Sequence, residues 1–269
     1  MNLAALTGPK AFGRAYRIML DNDPHAPASA DRATMANMIR LCDESARYLY
    51  ESYTGRSIAN VAGTRPGLER FLAQAGSPAG DSEERIAAIA GLTRGLADRS
   101  PAGGLSAMRF GGTEEQIIER GSDWCADVAR VGCALYQIAG FPCRMVYLFD
   151  LQAAYSGHVI VEVHRSGRWG AVDSRSGVVY RTVDGAPATT WQLMNDDGLV
   201  KRHAGPEAWY TTPEQFTAAG VADYHVQDAA RYDYPVSGVN DYTRAVLSMA
   251  DRGWPGGLRW LHGESDGAG

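Results

Sequence analysis

Between residues 123 and 174 the spacing of apolar side chains switches once, from helical to strand-like, and this switch restricts the fold more than any other feature of the chain. Val128, Val131, Leu135 and Ile138 recur every three or four positions and mark one face of a helix over residues 123–139. Ala129, Gly132 and Ala139 are small enough to let a neighbour come close. Gly140 ends the pattern, and Phe141-Pro142 prevents its continuation. Residues 145–149 then form a continuous apolar run. Residues 158–164 alternate, with Val159, Val161 and Val163 on one side and His158, Ile160, Glu162 and His164 on the other. Ser166-Gly167 is a two-residue hairpin signal, and residues 169–174 return as its second strand. A long helix followed by antiparallel strands is an α+β arrangement.

The flanking segments are less periodic. Pro24 and Pro27 mark a loop, and Asp31 is the expected N-cap of a helix carrying Met35, Met38, Ile39, Cys42, Ala46, Leu49 and Tyr53 on its core face. A second helix over residues 68–75 ends at Gly76, and residues 76–80 form a boundary. A third begins after Asp81 or Ser82, with Glu83 and Glu84 in its first turn and Ile86, Ile89, Leu92 and Leu96 buried. Residues 100–112 read as loop and 113–120 as one or two helical turns. After Tyr180, Pro187, Pro206, Pro213 and Pro235 punctuate the chain before a helix expected over 240–252. Tyr232, Tyr234, Asn240 and Tyr242 are read as core cover. The expected organisation is a single domain over 1–269: a helical N-terminal extension (1–80), a core (81–180) and a C-terminal wrap (181–269).

Composition removes several function classes. A net charge of −5 with no basic stripe argues against a nucleic-acid partner. No stretch of about eighteen apolar residues exists to cross a membrane. The first twenty residues have no apolar core of signal-peptide length, so a cytoplasmic protein is expected. Four cysteines without a CxxC pair argue against zinc and for free, mostly buried thiols.

A thiol becomes a good nucleophile where its thiolate is stabilised, at a helix N-terminus or beside an imidazolium. Cys125 falls in the first turn of the long helix. Cys133 lies two turns further in, Cys143 at a strand start and Cys42 on an apolar helix face. The hairpin selects its partner. With Ser166-Gly167 as the turn, Arg165 opposes Arg168 and Asp173 falls opposite Ile160, which shares a side with His158. Asp173 is then the diagonal neighbour of His158, within reach of its ring. His164 lies two rows from the aspartate. Slipping the turn by one residue would put Asp173 on the wrong side. Glu162 and His164 are expected at the surface, and Trp124 either lines an acyl pocket or packs.

These residues resemble a known family. Cys125-Ala-Asp-Val-Ala129 and Ala134-Leu-Tyr-Gln-Ile-Ala-Gly-Phe-Pro-Cys-Arg144 are similar to the transglutaminase-like core, in which a nucleophilic cysteine opens a helix ending in a Gly-Ile-Pro-Ala-Arg type of turn. His158-Val-Ile-Val-Glu-Val163 and Gly167-Arg-Trp-Gly-Ala-Val-Asp173 resemble that family's histidine and aspartate strands. Cysteine and histidine are 33 residues apart, histidine and aspartate 15, in the family's chain order. The resemblance covers residues 82–180.

It implies a papain-like fold, with the nucleophile helix packed on an antiparallel sheet, and a Cys125–His158–Asp173 triad. The activity it implies is acyl transfer or hydrolysis at an amide or thioester, through an acyl-enzyme, with neither metal nor organic cofactor. The partner would be a peptide or small-molecule acyl substrate, with water or an amine as acceptor. The glycine usual two residues before the cysteine is replaced by Asp123-Trp124. The Cys125 N–H is one expected oxyanion donor, and Gln116 is the candidate considered for a second. The rival class is an idle copy of the fold kept for binding.

Overall fold

The computed structural model describes residues 2–8, 10–12, 38–52, 60–76, 82–100, 111–150, 155–203 and 218–223. The expectations for Pro24, Asp31, residues 77–81, the helix over 240–252 and the Tyr232–Tyr242 patch lie outside them.

The helical stripe and the strand-like residues behave as their periods require. The helix runs Cys125–Ile138 and is followed by strands Cys143–Asp150 (β2), Tyr155–Arg165 (β3) and Arg168–Asp173 (β4). Ser166 and Gly167 have φ of 50° and 76°. Positive φ at both central residues is the type I′ geometry whose twist suits a hairpin, and Gly167 takes it without a Cβ penalty. The resulting register pairs Arg165 with Arg168, His164 with Trp169 and Val161 with Val172, as the Ser-Gly turn predicts.

Six antiparallel strands form one sheet among the described residues, in the order β1-β6-β2-β3-β4-β5, with Ile39–Leu41 as β1, Val178–Val179 as β5 and Ala218–Asp223 as β6. The first and last of the three expected segments thus each place a strand in it. Residues 39–41 were expected in a helix. They pair instead with β6, Ile39 against Val221 and Leu41 against Ala219. Cys42 then precedes a short helix, Asp43–Arg47 (α1), because Ser45 Oγ accepts from the Cys42 N–H at 2.9 Å and donates to the Arg40 carbonyl at 2.6 Å. Such side-chain bonds compete with helix propagation.

Further α-helices among the described residues are Pro66–Ala73 (α2), Ser82–Arg94 (α3), Glu114–Arg120 (α4), the long Cys125–Ile138 (α5), Thr190–Asn195 (α6) and Asp197–His203 (α7). Helix α5 lies on one sheet face, where Val128, Val131 and Leu135 meet Met145, Tyr147, Val159, Val161, Val163 and Val172, with Ile86 and Ile89 of α3 beside them. The opposite face carries a second apolar cluster of Leu41, Leu49, Val146, Leu148, Ile160, Ala171, Tyr180 and Leu193. The alternation sets an apolar side of Val159, Val161 and Val163 against a side that presents His158 and Asp173 together; both faces carry an apolar cluster.

Gly132 lets the turn after β4 seat against α5. A Cβ there would stand 2.4 Å from Ser174 Oγ and 3.2 Å from Ser174 Cβ. Gly132→Ala is therefore expected to cost ~1–3 kcal/mol of stability by overpacking, read as a lower denaturant midpoint at unchanged m-value.

Candidate active site

Cys125 is the first residue of α5 and is partly exposed. Trp124, in extended conformation, occupies the N-cap without a capping side chain, so the first N–H groups of the helix keep their positive field toward the thiol. The Trp124 side chain is half-buried against the main core.

Buried charges hold the helix start in place. Asp127 accepts from Gly111 N at 3.0 Å, Arg120 Nη2 at 2.8 Å and Ser122 Oγ at 3.1 Å, while Ser122 Oγ accepts from Trp124 N at 3.2 Å. Burial raises the Asp127 carboxyl, against the opposing pull of Arg120, Arg130, the Gly111 N–H and Ser122. One turn on, Arg130 donates to Glu114 Oε1 at 2.8 Å, and Glu114 Oε2 accepts from Arg65 at 2.7 Å. The helical stripe gives no warning of this network. Its signal was there: Asp127 and Arg130, three residues apart, lie in an otherwise apolar, small-residue helix.

His158 forms the last regular β3–β2 pair, opposite Leu148, before a shift of register. Asp173 ends β4, and its Oδ1 accepts from Arg175 N at 3.0 Å and Ser176 N at 3.2 Å, closing the turn to β5. Its Oδ2 lies 3.0 Å from His158 Nε2. Both side chains are buried. The Cys125 side chain lies close enough to the same imidazole to favour its charged form. The three residues singled out from the sequence thus meet around one ring.

The electrostatics follow. Burial opposes a charged imidazole, but the Asp173 charge and hydrogen bond, assisted by Cys125, outweigh it and push His158 up to about 10. Burial would raise the Asp173 carboxyl, yet the His158 partner and the Ser176 bonds hold it below its ordinary value.

Other candidates are placed elsewhere. Cys133 and Cys143 are buried, with Gln137 Nε2 at 3.5 Å from Cys133 Sγ, and burial pushes the Cys133 thiol well up. Cys42 Sγ lies 3.6 Å from Ser45 Oγ. Gln116 is exposed and committed to the α4 capping box, accepting from Thr113 N at 2.9 Å while its own N–H binds Thr113 Oγ1. His164 stacks edge-on against Trp169, 5.2 Å between ring centres.

Glu162, expected at the surface, is fully buried. It accepts from Arg144 Nη2 at 2.7 Å, Tyr50 Oη at 2.8 Å and Thr190 N at 2.8 Å. Among the described residues no group of three or more His, Cys, Asp or Glu is disposed to hold a metal, and no helix is long and apolar enough to cross a membrane.

Residues 69–174, from α2 to the turn after Asp173, match the family model of the transglutaminase-like superfamily, and the helices and antiparallel strands of this stretch are consistent with an α+β fold. Members of that superfamily are typically cysteine-dependent acyltransferases or peptidases. No curated protein and no solved structure matches the chain significantly.

Proposed function

We propose that the protein is a cysteine-dependent acyl-transfer or hydrolytic enzyme acting on an amide or thioester. The observation that carries this reading is the His158 ring, held at Nε2 by Asp173, with Cys125 near enough to favour its charged form. With Nε2 engaged, Nδ1 is the ring nitrogen that exchanges a proton with sulfur. The thiol proton passes to His158, and the thiolate attacks the acyl carbon. Collapse of the tetrahedral intermediate breaks the bond to the leaving amine or thiol, which takes the proton from His158. Water or an amine then attacks the thioester, with His158 accepting its proton, and Cys125 is regenerated. The Cys125 N–H, at the uncapped start of α5, is assigned as one donor to the oxyanion. The substrate is a peptide or small acyl compound, no cofactor enters the cycle, and the reducing cytoplasm suits a free thiol nucleophile.

The test is intact mass spectrometry after incubation with a panel of amides and acyl thioesters, with and without an added amine. The expected result is an acyl adduct on Cys125, absent in Cys125→Ala, that decays faster when the correct acceptor is present. An unmodified protein across the panel favours the rival reading, an idle fold retained for binding.

A further inference from the structure

The Asp173 carboxylate does two jobs at once. One oxygen faces the imidazole, and the other closes the tight turn of residues 174–177. Any rotation of that turn therefore moves the histidine's partner. Two attachments tie the turn to the nucleophile helix. The first is at mid-helix, where Ser174 sits on Gly132; the Ser174 carbonyl also accepts from Thr93 Oγ1 of the adjacent α3 at 3.0 Å. The second is at the thiol end. The Arg175 side chain leaves the turn and spans to Asp123, with Nε donating to the Asp123 carbonyl at 3.2 Å and Nη2 lying 2.9 Å from Asp123 Oδ1.

Asp123 stands two residues before Cys125, in the extended segment whose N-cap lacks a capping side chain. Gly132 is seven residues beyond Cys125, roughly 10 Å along the helix axis, so the mid-helix contact alone leaves a pivot. We infer that Arg175, gripping the backbone and carboxylate of Asp123, is a positioning residue for the reaction: it fixes the Asp173–His158 pair against the Cys125 thiol. This rests on the reading of Cys125 and His158 given above. The planar guanidinium reaches carbonyl and carboxylate together, which a lysine ammonium cannot do in the same geometry. Neither partner touches the reacting atoms in this role. What the pair controls is the distance between two groups that do.

The experiment measures the second-order rate of Cys125 alkylation by iodoacetamide against pH, resolved by peptide, in the full chain. The variants are Arg175→Ala, Arg175→Lys and Asp123→Asn, with His158→Ala as reference. Labelling of buried Cys133 reports any loss of fold. The proposal expects Arg175→Ala to lose about ten- to a hundredfold in rate near neutral pH, since a small misplacement of reacting groups costs that much. Its rate–pH profile should move toward that of the His158→Ala reference while Cys133 stays protected. Arg175→Lys should recover part of the rate. Asp123→Asn should lose less than Arg175→Ala, because the carbonyl contact survives.

A wild-type profile in Arg175→Ala overturns the proposal. If that variant exposes Cys133, the decision passes to Arg175→Lys and Asp123→Asn, and wild-type profiles in both overturn it. Wild-type labelling that does not depend on His158 is a different failure. It removes the nucleophile reading itself, and the positioning role with it.

Discussion

Replacing His158 by alanine is expected to slow alkylation of Cys125 near pH 6 by about a hundredfold, the usual scale for losing a positioned proton acceptor. An isolated thiol ionises around pH 8.5, so under 1% of it is thiolate at about pH 6. In the wild type the imidazole beside Cys125 is pushed up to about 10 and stays cationic through neutral pH, which stabilises the thiolate. Removing it takes that positive charge away from the sulfur. The gap between variant and wild type should therefore close as pH rises above about 9.

The same pair makes stability depend on pH with a definite sign. His158 is raised above its ordinary 6.5, so its contribution is complete below that value and is lost as pH rises through about 10. Asp173 is lowered from 3.8, so its contribution is present above that value and is lost as acid titrates the folded carboxylate. The difference in melting temperature between wild type and His158→Ala should be widest between about pH 4 and 6.5 and should shrink toward pH 10.

Glu162→Ala is expected to be the most destabilising of the substitutions considered, at ~3–5 kcal/mol, because it strands a buried cation. Glu162 binds Arg144 through both Nε, at 2.9 Å, and Nη2, at 2.7 Å. Arg144 is 1% exposed, with its guanidinium 3.9 Å from the centre of the Trp169 ring and Nη1 donating to the Leu49 carbonyl at 3.1 Å. Without Glu162, Tyr50 and the Thr190 N–H lose an acceptor as well. Glu162→Gln keeps the shape but strands the same cation and turns one acceptor oxygen into a donor facing donors, so it should recover little of the loss. Chemical denaturation at neutral pH measures both. Glu162 lies four residues along β3 from His158, roughly 13 Å, so at a temperature where Glu162→Ala is folded, its Cys125 alkylation rate should match wild type.

What could be read in advance divides by the range of the interactions. The α5 helix, the β2–β4 strands and the Ser166-Gly167 register follow from period and turn chemistry, both local, and the meeting of His158 with Asp173 follows from that register. Strand β6 was not legible. Its sequence, Ala-Ala-Gly-Val-Ala-Asp, has one β-branched residue, because Met38 and Phe12 press on Gly220 in the middle of the sheet. Strand β1 was mistaken for helix because Ile39 and Leu41 owe their state to β6, which lies far along the chain. Glu162 was assigned to the surface by alternation, which gives the side of a strand but not what covers it. The Arg175–Asp123 contact crosses 52 residues and left no trace in spacing.

The central claim is that one of four free thiols is activated by its place in the fold. Its most direct test is competitive alkylation of the wild-type protein at about pH 6.5, with a limiting amount of iodoacetamide and peptide-resolved quantification of Cys42, Cys125, Cys133 and Cys143. Cys125 should take up the label at least about tenfold faster than Cys42, the other partly exposed thiol, with Cys133 and Cys143 protected by burial. Labelling of Cys42 at a rate equal to or above that of Cys125 would contradict it.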